Sequence, residues 1–249
     1  MRLTLFLLTI AFGLLGCTKN QENKSRSAER TLPSIQELEQ KAFSLYQENP
    51  EEAVPYFKEL AQRCKEDGIT DKAAITYLNT ANIFDEHLAE KDSALLYAEI
   101  SLGLWQERKD SLQQANLYKY VGLLKGQTGK LDEGIEDLQK AIFFYRILGF
   151  PEGLAVAERN LAKVFFLQKE YAKTKALLSK STHFWRQKGD QGRVFGNNLL
   201  GIELYRVLGE KAKEQRLLIE NRTILESSDI PPIMENRFLE LESTYQEEN

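Results

Sequence analysis

Of the 249 residues, only two are cysteines, two are histidines and six are prolines. Two cysteines, Cys17 and Cys64, cannot build the disulfide framework on which small secreted folds depend. His87 and His183 stand far apart, and no HExxH or CxxC run accompanies them, so no metal-ligand spacing can be made. They read as polar residues of a surface or groove edge. Six prolines and fifteen glycines are too few for a loop-rich all-β chain. Positive charge is also short: a formal net charge of −4 excludes a broad attraction to nucleic acid. No Gly-x-Ser-x-Gly elbow is present for acyl transfer. The stretch Gly122–Lys130 lacks one glycine of a phosphate loop and has Leu131 where Ser or Thr is required. Carboxylate pairs such as Glu51-Glu52 read as solvated helix-start charges. No catalytic residue, metal site or cofactor is expected.

What is there favours helix. Hydrophobic residues make up 42% and charged residues 28%, the balance of an ordered chain. Ala, Leu, Glu, Lys and Gln are abundant, and their side chains lose little freedom in a helix. One long apolar run stands out, from Leu3 to Leu15, preceded by Met1-Arg2 and followed by Gly16-Cys17. A single positive charge, a short apolar core and a small residue form a secretory pattern. The run is shorter than the roughly 20 residues that span a bilayer.

The residues Leu14-Leu15-Gly16-Cys17 resemble the lipobox of bacterial lipoproteins. That resemblance implies cleavage between Gly16 and Cys17 and a diacylglyceryl group on the Cys17 thiol. The alternative is an uncleaved anchor with an incidental cysteine. Thr18 follows in place of the aspartate that retains many lipoproteins in the inner membrane, which favours the outer one. The expected organisation is a signal peptide over 1–16 and a polar tether over 17–33.

From Pro33 onward the sequence repeats. Small residues recur as Ala42, Ala81, Gly122, Ala162 and Gly201, at spacings of 39, 41, 40 and 39. A second series runs Ala53, Ala94, Gly134, Thr174 and Ala212, at 41, 40, 40 and 38. Turn signals keep the same beat at Gly129, Lys169 and Gly209, and again at Asp110, Gly149, Gly189 and Ser228-Asp229. Small residues let two helices approach closely, and Phe57, Leu138 and Leu178 lie four positions on, on the same face. Each hairpin alone leaves an apolar face bare, which stacking hides. Ser34 with Glu37 predicts a capping box, and Asn49-Pro50 an N-cap with proline at N1. Residues 233–246 place Ile233, Phe238, Leu241 and Tyr245 at helical spacing, as in a terminal cap.

These residues together resemble the tetratricopeptide repeat (TPR) in a form of about 40 residues. The resemblance implies an all-α, right-handed superhelical solenoid of hairpins over 34–229, closed by a C-terminal capping helix in 230–249. Its units would be about 34–67, 68–110, 111–150, 151–190 and 191–229. In such arrays the first helices line a concave groove. Position by position this implies Leu78, Asn82, Lys119, Leu123, Arg159, Lys163, Asn198 and Ile202 as groove residues. One turn on come Asp85, Phe166 and Tyr205. The chosen partner-binding set is Asn82, Lys119, Arg159, Lys163, Asn198 and Tyr205, a mixture suited to an acidic segment or chain terminus. The alternative is that these are ordinary solvated helix residues. The expected function is a lipid-anchored, non-enzymatic scaffold that binds protein or peptide. The alternative is an envelope lipoprotein that captures solute for a transporter.

Overall fold

A computed structural model describes residues 33–247. Gly16, Cys17, the expected signal peptide and the tether as far as residue 32 lie outside the described residues, as do 248 and 249.

Eleven α-helices follow one another among the described residues: α1 (Ile35–Glu48), α2 (Pro50–Glu66), α3 (Thr70–Asn82), α4 (Lys91–Arg108), α5 (Ser111–Gln127), α6 (Leu131–Ile147), α7 (Pro151–Leu167), α8 (Tyr171–Lys188), α9 (Gln191–Val207), α10 (Lys211–Ser227) and α11 (Pro232–Glu247). A single turn of π-helix, Ile83–His87, extends α3. The helices pack consecutively as five hairpins, and α11 lies against both α9 and α10. The chain is an α-solenoid of stacked helical hairpins with a terminal helix over its last pair.

Local chemistry sets the boundaries. Ser34 accepts the Glu37 N–H at 3.2 Å, and Glu37 accepts the Ser34 N–H at 2.7 Å, which completes the capping box. Asp110 accepts from the N–H groups of Leu112 and Gln113, and Asp190 from that of Arg193. Asn49 departs from expectation. Pro50 does occupy N1, but the Asn49 side chain makes no cap bond and donates to Glu52 instead. Within the later hairpins the turn residue is left-handed: Gly129, Lys169 and Gly209 have φ of 86°, 64° and 68°. Their N–H groups return to the carbonyls of the helix just ended, as at Lys169 to Phe166 and Glu170 to Phe165.

Both small-residue series mark close helix contacts. Ala42, Ala81 and Ala162 are fully buried, as are Ala53, Ala94 and Thr174. Within the third hairpin the approach is backbone to backbone. A Cβ on Gly122 would lie 2.8 Å from the Gly134 carbonyl, and one on Gly134 would lie 2.6 Å from the Gly122 carbonyl. The second series ends differently from expectation, because Ala212 is exposed. Its place is taken by Glu214, three residues into α10 as Gly134 and Thr174 are into α6 and α8. Glu214 is 3% exposed, and its carboxylate accepts from Arg206 Nε at 2.7 Å. Arg206 also donates to the Leu241 carbonyl of α11 at 2.7 Å. A buried ion pair therefore stands where the other hairpins put a small residue, and it ties down the terminal helix.

On α11, Phe238 and Leu241 are buried, and Phe238 meets Phe195 edge-on with ring centroids 5.6 Å apart. Ile233 does not share that face and is 80% exposed. Cys64 is a free thiol, fully buried among Leu60, Ala61 and Tyr77. Burial pushes its pKa up.

Candidate partner-binding groove

Charged side chains of α5, α7, α9 and α11 come together with Asp85 of the π-turn on one face, the inner one. The π-turn carries Asp85 to that face, where Tyr120 Oη of α5 donates to its carboxylate at 3.1 Å and Lys91 pairs with it. The field of Asp85 reaches Lys163 on α7, as do those of Lys91, Arg159 and Glu203. Glu203 on α9 accepts from Arg237 of α11 at 2.5 Å. Both inner-face carboxylates that act on Lys163 therefore already have a cation in contact.

Lys119, Arg159 and Lys163 have none. Each is half-buried, and none makes an ion pair or hydrogen bond with another described residue. Lys119 approaches the ring of Tyr145 at 5.8 Å from its centroid and feels Arg193. Burial lowers the pKa of all three, most of all by removing water from the charged form, and repulsion adds to this, from Arg193 at Lys119 and from Arg159 and Lys91 at Lys163. For Arg159 the field of Glu203 works in the opposite direction. The inner face thus carries three positive charges without counter-charges in contact.

The other three residues of the expected set sit elsewhere. Asn82 borders a small hollow with Tyr46, Phe57 and Asn79 in the first two hairpins. Asn198 is 3% exposed, and its amide donates to Asn221 Oδ1 at 3.0 Å inside the last hairpin. Its neighbour Ile202 is fully buried. Tyr205 stands between α8 and α10, with Lys175 and Lys213 at 5.8 and 5.4 Å from its ring centroid. Asn198 and Tyr205 face the second helices because the count from Gly201 falls one residue short: Asn198 lies seven residues beyond the start of α9, whereas Lys119 and Arg159 lie eight beyond the starts of α5 and α7. In α9 the positions that match Arg159 and Lys163 are Leu199, buried in the cluster that Phe238 joins, and Glu203.

Sequence reading also missed Asn160, Trp185 and Arg193. Arg193 stacks over the Trp185 ring at 4.5 Å and lines a cavity together with Arg159 and Asn160. Arg193 lies near the start of its helix, and Trp185 belongs to a second helix, so neither falls at the positions where groove residues are sought. Among the described residues, no group of three His, Cys, Asp or Glu could hold a metal, and no helix is long and apolar enough to cross a membrane.

No family model matches the chain, and no curated protein matches it. Solved structures do. The apo form of RapI superposes with a TM-score of 0.68 at 13% identity, over 85% of this chain and 58% of RapI. BtubC (BKLC) from P. vanneervenii gives 0.61 at 16% identity, over 84% and 83%. The nearly identical TPR-like repeats of a kinesin-light-chain-type protein from Podosopora anserina give 0.62 at 12%, over 76% and 93%. At these identities the likeness establishes a fold. The described chain is a TPR-like helical solenoid.

Proposed function

We propose that this chain is a non-enzymatic scaffold, lipid-anchored at the bacterial cell envelope, that binds an acidic segment of a protein partner on its inner face. The observation that carries the reading is the set of Lys119, Arg159 and Lys163, half-buried on neighbouring inner helices with no carboxylate in contact. Holding cations partly out of water without partners costs free energy. An incoming carboxylate offsets that cost with charge-assisted hydrogen bonds. The TPR-like fold supports the reading, since its stacked hairpins offer an extended face for such a segment.

The anchor rests on the pattern Leu14-Leu15-Gly16-Cys17. Two or three acyl chains on Cys17, at about 0.8 kcal/mol per buried CH₂, hold a folded domain at a membrane. The outer membrane is the favoured one.

The test is affinity capture from detergent-solubilised native membranes, with wild type beside Lys119→Glu/Arg159→Glu/Lys163→Glu. A partner captured by wild type and lost from the folded triple variant supports the reading. A partner recovered equally by both places binding on another surface. Cys17→Ala tests the anchor separately. It should leave an unprocessed precursor with altered mobility, and unchanged mobility and membrane retention would sink the lipid claim.

A further inference from the structure

A cavity of about 420 Å³ lies where α7, α9 and the start of α11 meet. Val156, Trp185, Pro231 and Met234 give it apolar walls, and Arg159, Asn160 and Arg193 give it polar ones. Gly192 and Gly196, one turn apart on α9, also line it. A Cβ on Gly192 would meet nothing nearer than Asp190 Oδ1 at 3.7 Å, so the absence of a side chain there keeps the cavity open.

Two of its polar groups lack partners. Asn160 is 6% exposed and makes no hydrogen bond to another described residue. No buried side-chain nitrogen or oxygen among the described residues is sealed without a partner, so the Asn160 amide opens on the cavity that it lines. An amide withdrawn into such a cavity, with no partner among the described residues, is placed to take a polar group of a ligand. The second group is the Arg159 guanidinium, whose neighbour Glu203 is taken by Arg237. The charge of Arg193 is partly met, since its Nε lies 3.5 Å from Asp190, which also caps α9. The cavity therefore holds one positive charge in excess, beside an aromatic wall.

We propose that this cavity binds the free carboxylate of an amphipathic acid. The carboxylate sits on Arg159, with Arg193 beside it. The Asn160 amide takes a polar group next to the carboxylate, and the apolar part lies against Trp185 and Met234. The inference deepens the groove reading by giving the groove a defined end, and rests on it through Arg159. Such an acid has two sources, a small organic acid or the C-terminus of a peptide.

Trp105 and Trp185 are the only tryptophans, so Trp105→Phe leaves Trp185 as a reporter in the cavity wall. This variant is titrated with N-acetyl-phenylalanine, with an acetylated hexapeptide ending in leucine, and with the C-terminal amide of each. Both acids should change Trp185 fluorescence saturably, and both amides should bind at least tenfold more weakly. A peptide acid bound tenfold more tightly than the amino acid identifies a chain end as the source. Equal binding identifies a small acid. Gly192→Leu should fill the cavity and abolish the response while the thermal midpoint stays level or rises. Arg159→Gln should weaken both acids at least tenfold, and it serves as the second variant if leucine disturbs the helix. Equal binding of acid and amide, no saturable response at millimolar acid, or retained binding in both variants overturns the assignment. Lys119 and Lys163 do not line the cavity, so Lys119→Met/Lys163→Met tests protein capture while leaving the cavity lining in place and adding no carboxylate beside its arginines.

Discussion

Lys169 turns the chain between α7 and α8 at a φ of 64°, where its counterparts in the hairpins before and after are Gly129 and Gly209. A side chain in that region is strained by about 1 kcal/mol. Lys169→Gly should recover much of that strain, less the entropy that glycine adds to the unfolded chain. The expected result in thermal unfolding is a small rise in midpoint. At Glu214 the effect runs the other way. Removing one member of a buried pair strands the other, so Glu214→Ala should cost about 3 kcal/mol, although it restores the small residue found in the other hairpins. Glu214→Ala/Arg206→Leu should cost less than the sum of its parts, and a double-mutant cycle by denaturant unfolding measures the coupling. The groove lysines add a pH dependence. Burial holds Lys119 and Lys163 below the ordinary 10.5 of the unfolded chain. Between the lowered values and 10.5 the unfolded state binds more protons, so stability rises with pH through that window. Lys163→Met should therefore stabilise the free protein at neutral pH and flatten this rise, while weakening capture of an acidic partner.

Helices are the scale at which the sequence was most legible. Small residues at a spacing near 40, turn residues in phase, and the Ser34–Glu37 capping box each correspond to an observed contact or cap. What stayed hidden was anything that depends on the exact register of a helix or on a helix from elsewhere in the chain. Ala212 has the composition of the small position, whereas the unbroken spacing of 40 from Thr174 leads to Glu214. Asn198 and Tyr205 are counted from Gly201, which lies one residue earlier in its helix than Gly122 and Ala162 do in theirs, and that shift turns them toward α8 and α10. The π-turn that brings Asp85 inward has no local sequence mark of its own. At this scale α11 itself can be tested. A chain stopped after Ser228 bares Phe195, Leu199 and Ile202, a cluster that Phe238 and Leu241 complete. It should lose several degrees of thermal midpoint and bind a hydrophobic dye, in keeping with the need of a solenoid for a closing element.

For the molecule as a whole, fold and function part company. Helical repeats serve unrelated partners, so the likeness to RapI, to BtubC and to the kinesin-light-chain repeats leaves the partner to be read from side chains. Here those side chains set an acidic chain, at −4 overall, against a positive inner face. Binding that relies on this contrast weakens as salt rises, because the charges are screened over about 10 Å at 0.1 M. Capture repeated from 0.05 to 0.5 M sodium chloride should show a progressive loss. Flat recovery across that range would remove electrostatics from the account.

The backbone contact between Gly122 and Gly134 has a mechanical meaning as well. In a stack where each hairpin leans only on its neighbours, tension applied at the two ends peels the outer hairpins first. The middle hairpin, with no side chain between its two backbones at that crossing, is the seam that holds longest. Pulled from its two ends, the folded chain should lengthen in steps and keep α5 and α6 together to the last, and optical-tweezer traces should end on that rupture.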